Sequence, residues 1–279
     1  MTGLVRLDST AAQARRVAAE VIAREAAAIL MAHRQGNTVT WKGVGDLVTA
    51  ADRASEAHVV ARLAGLFPDD VIVAEEGGGS AGGLGTARND WVWYVDPLDG
   101  TTNFVCGLPH FSVSLGAFHG GQAAVGVIAA PELGKLWSGA RGLGAYVEGG
   151  GGREPLRVST VATLERALAA TGFPYDRSRR AADLVGPLRR ALERCLDVRR
   201  LGSASLDLAL VADGSFGVYW EPRLKAWDLA AGVLLVREAG GTATDHAGLD
   251  GFLASGDIVA TNGLLHAAFM RDVLAASDA

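Results

Sequence analysis

An apolar run over residues 92–95 ends in two carboxylates three positions apart, Asp96 and Asp99, and no other segment so restricts how this chain can fold. The run reads as a buried strand. Pro97 stops the ladder and fixes the backbone between the acids. Gly100 then allows a tight turn, and Thr101-Thr102 can cap a following helix. Two acids therefore stand at the carboxyl end of a strand, beside a helix start. Hard cations take oxygen ligands, and helix N-termini hold phosphate. An isolated Asp-x-x-Asp turn more often only caps and solvates, so its meaning rests on what else converges there.

Other acids stand at element boundaries in the same way. Glu75 and Glu76 follow the short apolar run 71–74, and Asp228 precedes the apolar run 229–235. An acid at a helix start is usually an N-cap. A carboxylate has enough lone pairs to cap and to hold a cation together.

The rest of the chain supplies the frame. Residues 8–34 read as an amphipathic helix, because Arg15, Arg16, Glu20, Arg24 and Glu25 interrupt its alanines. Residues 46–52 lead into a second helix reaching about 67. From 111 to 146, apolar stretches alternate with Gly or polar turns, which describes consecutive antiparallel strands with a hairpin near 142–144. Beyond the glycines of 149–152, strands near 167–171, 198–201, 216–221 and 258–260 alternate with helices near 182–195, 204–212, 229–239 and 264–275. That order predicts a layered α+β fold and not a doubly wound parallel sheet. The chain divides into halves at 1–148 and 153–279, joined as one compact unit. The Gly-rich stretch 77–85 is the lid candidate.

With 279 residues the chain can bury a large core. A net charge of −5 and no Lys/Arg stripe give no footprint for nucleic acid. No apolar run reaches the roughly 18–20 residues of a membrane span, and the N-terminus has no secretory pattern. Cys106 and Cys195 form no C-x-x-C pair and read as reduced thiols, so a cytoplasmic protein is expected. No G-x-x-x-x-G-K-[ST] occurs. The literal G-x-G-x-x-G and G-x-S-x-G matches at 77–82 and 78–82 fall inside the Gly-rich stretch, with no apolar helical run after them. The six histidines show no zinc-hydrolase grouping.

Taken together, four blocks make the chain resemble the inositol monophosphatase family of magnesium-dependent phosphatases. They are Asp46-Leu47-Val48-Thr49-Ala50-Ala51-Asp52, then Glu75-Glu76, then Asp96-Pro97-Leu98-Asp99-Gly100-Thr101-Thr102-Asn103-Phe104. The last is Trp227-Asp228-Leu229-Ala230-Ala231-Gly232 running on to Glu238-Ala239-Gly240-Gly241. Gly142-Leu143-Gly144-Ala145-Tyr146 and Gly202-Ser203-Ala204-Ser205-Leu206-Asp207 fit as well, so the likeness spans about residues 10–270.

The resemblance implies a layered αβαβα sandwich, a homodimer, lithium sensitivity and two or three Mg²⁺ ions. It implies that Glu75, Asp96 and the Leu98 carbonyl hold the first ion, and that Asp96, Asp99 and Asp228 hold the second. A third, weaker ion would sit near Glu75. It assigns Asp52 and Thr101 to deprotonating the attacking water, with Glu75 among the catalytic acids. Phosphate would lie on the Gly100 and Thr101 amides, and the leaving alcohol near Asp99, Ala204 and Glu221. The expected substrate is a small polyol phosphate, inositol 1-phosphate first. Histidinol-phosphate, fructose-1,6-bisphosphate and nucleotide 3′-phosphates are the alternatives, with a regulatory interaction protein of the same fold as the non-catalytic one. The chemistry is consistent. Phosphate monoesters hydrolyse extremely slowly in water, and acids without His or Cys suit Mg²⁺.

Some conspicuous residues read as structural. His110 and His119 flank an apolar strand, and Trp41, Trp91, Trp93 and Trp137 suit a core or rim. The run Arg177-Ser178-Arg179-Arg180 reads as a solvated turn that could also attract an anionic substrate. Lys42 lies near the position of a family flap lysine, but its spacing to Asp46 is one residue short.

Overall fold

The computed structural model describes residues 7–34, 39–43, 46–77 and 90–275. In chain order, α1 (Ser9–Ala32) is followed by β1 (Val39–Gly43), β2 (Asp46–Thr49), α2 (Ala50–Leu66), β3 (Val71–Ala74), β4 (Trp91–Asp99) and α3 (Thr101–Val105). Then come β5 (Ser112–His119), β6 (Gln122–Ala130), β7 (Lys135–Ala140), β8 (Ala145–Gly149), β9 (Gly152–Pro155) and β10 (Leu168–Thr171). The chain ends with α4 (Ala181–Arg194), β11 (Asp197–Arg199), α5 (Ala204–Ala212), β12 (Val218–Glu221), α6 (Ala226–Glu238), β13 (Thr242–Thr244), α7 (Phe252–Ser255), β14 (Ile258–Thr261) and α8 (His266–Phe269).

Strands β3 to β9 form one sheet in sequence order, antiparallel except for the β3–β4 pair. A second sheet has the order β11-β10-β12-β14-β13. Helices α1 and α2 cover one face of the first sheet, α5 and α6 lie between the two sheets, and α4 and α8 lie against the second. The layers therefore run αβαβα, as expected. Residues 149–152, which the sequence offers as a division between halves, form the turn of the β8–β9 hairpin, and the first sheet continues to Pro155. The lid candidate 77–85 lies outside the described residues apart from Gly77, and so does the side chain of Lys42.

The central strands are apolar throughout because both faces are covered. Val125, Val127 and Ala129 of β6 pack toward α1, while Ile128 and Ala130 face the layer holding α6. Two glycines let α6 bed deeply into that face. Gly116 and Gly126 are direct cross-strand partners. A Cβ at Gly116 would fall 2.5 Å from the Ala230 Cβ, and one at Gly126 only 2.4 Å from the Ala231 carbonyl oxygen. Gly126→Ala is therefore expected to cost about 3 kcal/mol by overpacking. The corresponding fall in thermal midpoint, read by calorimetry, is roughly 5–10 °C. An unchanged midpoint would mean that the helix lifts off the sheet without penalty.

At the chain's end the long final helix expected from the sequence is α8 followed by a wider π-type turn over Met270–Leu274.

Candidate active site

Asp96 and Asp99 share the end of β4, but Pro97 does not end the strand. Asp96 pairs with Ser114 and Asp99 with Ser112, with a bulge between them. Proline has no N–H to lose, and a bulge is where a strand can accept it. The bulge leaves a carboxylate oxygen of Asp96 within 4.8 Å of one of Asp99. Its backbone is tied down on each side: Ser55 Oγ of α2 donates to the Pro97 carbonyl (2.9 Å), and the Leu98 N–H donates to Asp96 Oδ1 (3.0 Å).

Gly100 follows at φ 90°, a left-handed conformation for which a Cβ would meet the His110 carbonyl at 2.8 Å. The chain then enters α3. Asn103 Nδ2 donates to the carbonyls of His110 (2.7 Å) and Leu201 (2.8 Å), tying this turn to the chain before α5.

Asp52 arrives from α2 through a capping box. Its Oδ2 accepts from the Thr49 N–H (2.9 Å) and the Thr49 hydroxyl (2.5 Å). Its Oδ1 lies 3.3 Å from Thr101 Oγ1, which is also 3.0 Å from the Leu98 carbonyl oxygen. One hydroxyl proton therefore serves two acceptors. Burial raises the Asp52 carboxyl above its ordinary value, with the Thr49 bonds opposing. Glu75 stands where β3 ends beside β4, its N–H donating to the Val95 carbonyl (3.2 Å), and the buried Glu56 carboxylate holds the next amide, that of Glu76 (2.7 Å).

The third acid comes from the far half of the chain. Helix α6 starts earlier than the sequence suggests, at Ala226, so Asp228 is its third residue rather than its cap. Its Oδ2 accepts from the Lys225 N–H (2.7 Å). One carboxylate oxygen from each of Asp96, Asp99 and Asp228 lies within 4.8 Å of the others. Among the described residues no other trio of His, Cys, Asp or Glu converges like this. Burial, then the charges of Glu75, Asp99 and Asp228, push Asp96 well above the usual carboxylate range, and burial and Asp99 do the same to Asp228. Burial also raises Asp99, whose Oδ2 accepts from the Ser203 hydroxyl (2.7 Å), the Ser205 N–H (2.7 Å) and the Ser205 hydroxyl (2.6 Å). A cation bound among these like charges would offset their repulsion.

A cavity of about 310 Å³ opens over the trio, lined by Glu75, Asp99, Gly100, Thr101, Ala204, Glu221 and Asp228 among others. Among the sequence-identified residues it joins Glu75, Asp99, Gly100 and Thr101 of the first half with Ala204, Glu221 and Asp228 of the second. Asp52, Asp96 and Leu98 are not among its lining residues. Glu221 is buried at the end of β12, its Oε2 accepting from the Tyr219 hydroxyl (2.6 Å). Gly172 makes room for it, since a Cβ there would fall 1.8 Å from Glu221 Oε2. Burial pushes the Glu221 carboxyl up to about 7, against the Tyr219 bond and the Arg200 charge.

Sequence reasoning placed Ser203, Ser205 and Asp207 in a fitting block without giving them a role, and left Tyr219 unmarked. Neither carboxylate oxygen of the buried Asp207 has a hydrogen-bond partner among the described residues. Burial and the charges of Glu221 and Asp99 raise it well above its ordinary value. A serine, a tyrosine in an apolar strand and an acid in a helix's first turns carry no local signal of such a place. His119 is structural, its ring packing on Trp91 at 4.8 Å.

The model of the inositol monophosphatase family matches residues 4–277. A Pseudomonas aeruginosa protein named Nus factor SuhB is 41% identical over 230 residues, which cover 81% of this chain and 82% of that protein. The crystal structure of the extragenic suppressor protein suhB from Bartonella henselae superposes with a TM-score of 0.87 at 33% identity, covering 95% of this chain and 100% of the other. The structure of an inositol monophosphatase from Anabaena gives 0.83 at 37% identity, covering 95% and 97%.

Proposed function

The chain belongs to the inositol monophosphatase family, and on that premise we propose that it hydrolyses the phosphate monoester of a small polyol with the help of Mg²⁺, inositol 1-phosphate being the first substrate to test. The observation that carries this is the convergence of Asp96, Asp99 and Asp228 carboxylate oxygens within 4.8 Å. The donor set fits the ion. It is all oxygen, Asp96 and Asp99 are buried and Asp228 partly so, and its members carry like charge.

Asp96, Asp99, Asp228, Glu75 and the Leu98 carbonyl would hold the ions, two or three in all. When bound they supply charge neutralisation for the phosphoryl oxygens and acidify a water. The protein's own groups do the rest. Thr101 and Asp52 form a relay in which the Thr101 hydroxyl can take the proton of the attacking water and pass its own to Asp52. Burial makes Asp52 a better base than an exposed aspartate. Gly100 and Thr101 offer backbone amides at the start of α3 to the phosphate. Ala204 and Glu221 line the same cavity, where a leaving polyol would lie.

Phosphate release from a panel of cyclitol, sugar and amino-alcohol phosphates, with Mg²⁺ and with excess EDTA, tests the proposal. Turnover in EDTA, or none on any ester with Mg²⁺, would overturn it. The same panel compares inositol 1-phosphate with histidinol-phosphate, fructose-1,6-bisphosphate and nucleotide 3′-phosphates. Lithium sensitivity is proposed for the same acids. A homodimer and a cytoplasmic location are proposed from the family; among the described residues no helix is long and apolar enough to cross a membrane.

Glu221→Gln should lower kcat/KM for a polyol phosphate about tenfold to a hundredfold, because unmade hydroxyl contacts cost roughly 1–3 kcal/mol. A generic aryl phosphate should be much less affected, and an equal loss on both substrates would count against the role.

A second reading rests on the name Nus factor carried by relatives about 40% identical to this chain. In it the chain also works by binding a partner, and a folded variant without turnover would retain that binding.

A further inference from the structure

The acids at the floor of the cavity account for one phosphate, but the cavity's outer wall has the opposite sign. Arg177, Arg200, Arg223 and Lys225 all line it. Arg223 also lines a neighbouring cavity of about 710 Å³, whose walls carry Arg180, His246 and Arg271. It therefore stands where the two spaces meet.

Arg223 is held there in an unfavourable backbone. It and Asp90 are the only non-glycine residues at positive φ among the described ones, with φ 65° at Arg223. Left-handed conformations suit glycine, and other residues keep them only when the surroundings enforce them; such outliers gather at functional sites. Here Asp257 Oδ1 accepts from the Arg223 N–H (3.0 Å), and the next amide, of Leu224, donates to the Gly256 carbonyl (2.8 Å). A glycine would relieve the strain without disturbing either bond, yet the chain carries a long cationic side chain.

That side chain reaches toward the arginine-rich turn noted in the sequence. Arg223 Nη2 lies 3.5 Å from Asp176 Oδ2, and the same oxygen accepts from Arg180 Nε (3.0 Å). One carboxylate thus serves two guanidiniums, with Arg177 adjoining. Asp183 lies 3.8 Å from Arg180, Asp257 faces His246 at 4.0 Å, and Asp272 pairs with Arg271, so the acids nearby are shared out. Arg200 is fixed on the other side, its guanidinium 5.9 Å from the Phe173 ring and packed where a Cβ on Gly202 would stand, 2.5 Å from Nη1.

We infer that Arg223, with Arg200 and Lys225, forms a subsite for a second anionic group, so that the preferred ester carries a phosphate or a carboxylate on its alcohol besides the phosphate that is cleaved. The inference rests on the phosphatase reading and names its substrate class. Arg223 selects here and takes no part in bond breaking. Its charge meets the far end of the substrate while the acids of the floor and Thr101 attend the near end.

The test uses matched esters with saturating Mg²⁺. Fructose 1-phosphate is compared with fructose 1,6-bisphosphate, and glycerol 3-phosphate with 3-phosphoglycerate, which separates a phosphate from a carboxylate as the second anion. The native protein should favour at least one of the two esters that carry a second anionic group by tenfold or more in kcat/KM, mainly through KM. The advantage should shrink as NaCl rises. Arg223→Gly should reduce the ratio at least tenfold while the thermal midpoint stays or rises, and Arg223→Lys should keep most of the ratio. Equal kcat/KM within each pair, or an unchanged ratio in Arg223→Gly, would overturn the inference and leave the phosphatase reading standing. Absence of turnover on all four esters and on inositol 1-phosphate would overturn both.

Discussion

Asp96→Asn should abolish turnover almost entirely, by at least about 10³-fold or 4 kcal/mol of barrier, and leave a folded protein. Asp96 lies at the centre of the acid cluster, facing Glu75, Asp99 and Asp228. An amide there keeps the shape and can still accept from the Leu98 N–H, a 3.0 Å bond in the native protein. It removes one of the like charges, so the metal-free variant should melt no lower than the native chain. Phosphate release and calorimetry on the same preparation decide the matter. Near-native turnover would remove Asp96 from the mechanism, and a collapse of the midpoint would show that its carboxylate holds the fold rather than an ion.

Magnesium should stabilise the protein increasingly as pH rises. In the metal-free fold, burial raises Glu221 from 4.5 to about 7. The folded chain therefore prefers this group protonated. The resulting stability is complete below about pH 4.5 and is lost as pH climbs to about 7, about 3 kcal/mol for a shift of that size. Asp96, Asp228 and Asp207 shift in the same direction. His110, His119, His246 and His266 are pushed below their ordinary value by burial, so they favour the fold as pH rises and oppose the trend. They line no part of the acid cavity, so they cancel when melts in Mg²⁺ and in EDTA are subtracted at each pH. A bound cation competes with protons for the oxygens of Asp96, Asp99 and Asp228, whose raised carboxyls carry the expected trend. Glu221 holds no ion in this reading, and its contribution cancels with those of the histidines. The midpoint difference between Mg²⁺ and EDTA should widen from pH 5 to pH 8, and a difference that stays constant or narrows would sink the account.

Much of this was legible before any coordinates. The layered α+β class follows from the order of the apolar runs, while the αβαβα stacking came from the family resemblance. The acids of β3 and β4 stand at abrupt ends of such runs, and local chemistry marks them. Asp228 needed its resemblance, since an acid in a helix's first turn looks the same whether it caps or converges on something distant. What stayed hidden depends on contacts between remote segments. Pro97 reads as a strand end because its missing N–H is visible in the sequence, whereas the bulge that tolerates it depends on pairing with β5. Ser203 and Ser205 become Asp99's partners only when α5 folds against β4's end. The short strands β9 and β13, of four and three residues, are too brief for any periodicity to show. Nothing local tells that Arg223 takes a glycine's conformation.

The paired glycines beneath α6 bear on how mutant libraries of this chain should be interpreted. Neither Gly116 nor Gly126 lines the acid cavity, yet together they set how far α6 sinks, and Asp228 rides on its first turn. In a screen scored by phosphate release alone, an added methyl at either position would be ranked beside loss of a ligand. Raising the magnesium concentration would restore some ligand variants and neither of these, because the third carboxylate would stand at the wrong height. A dose series therefore sorts damaged donors from a displaced platform, and hits in the buried sheet need that second axis before they are assigned to chemistry.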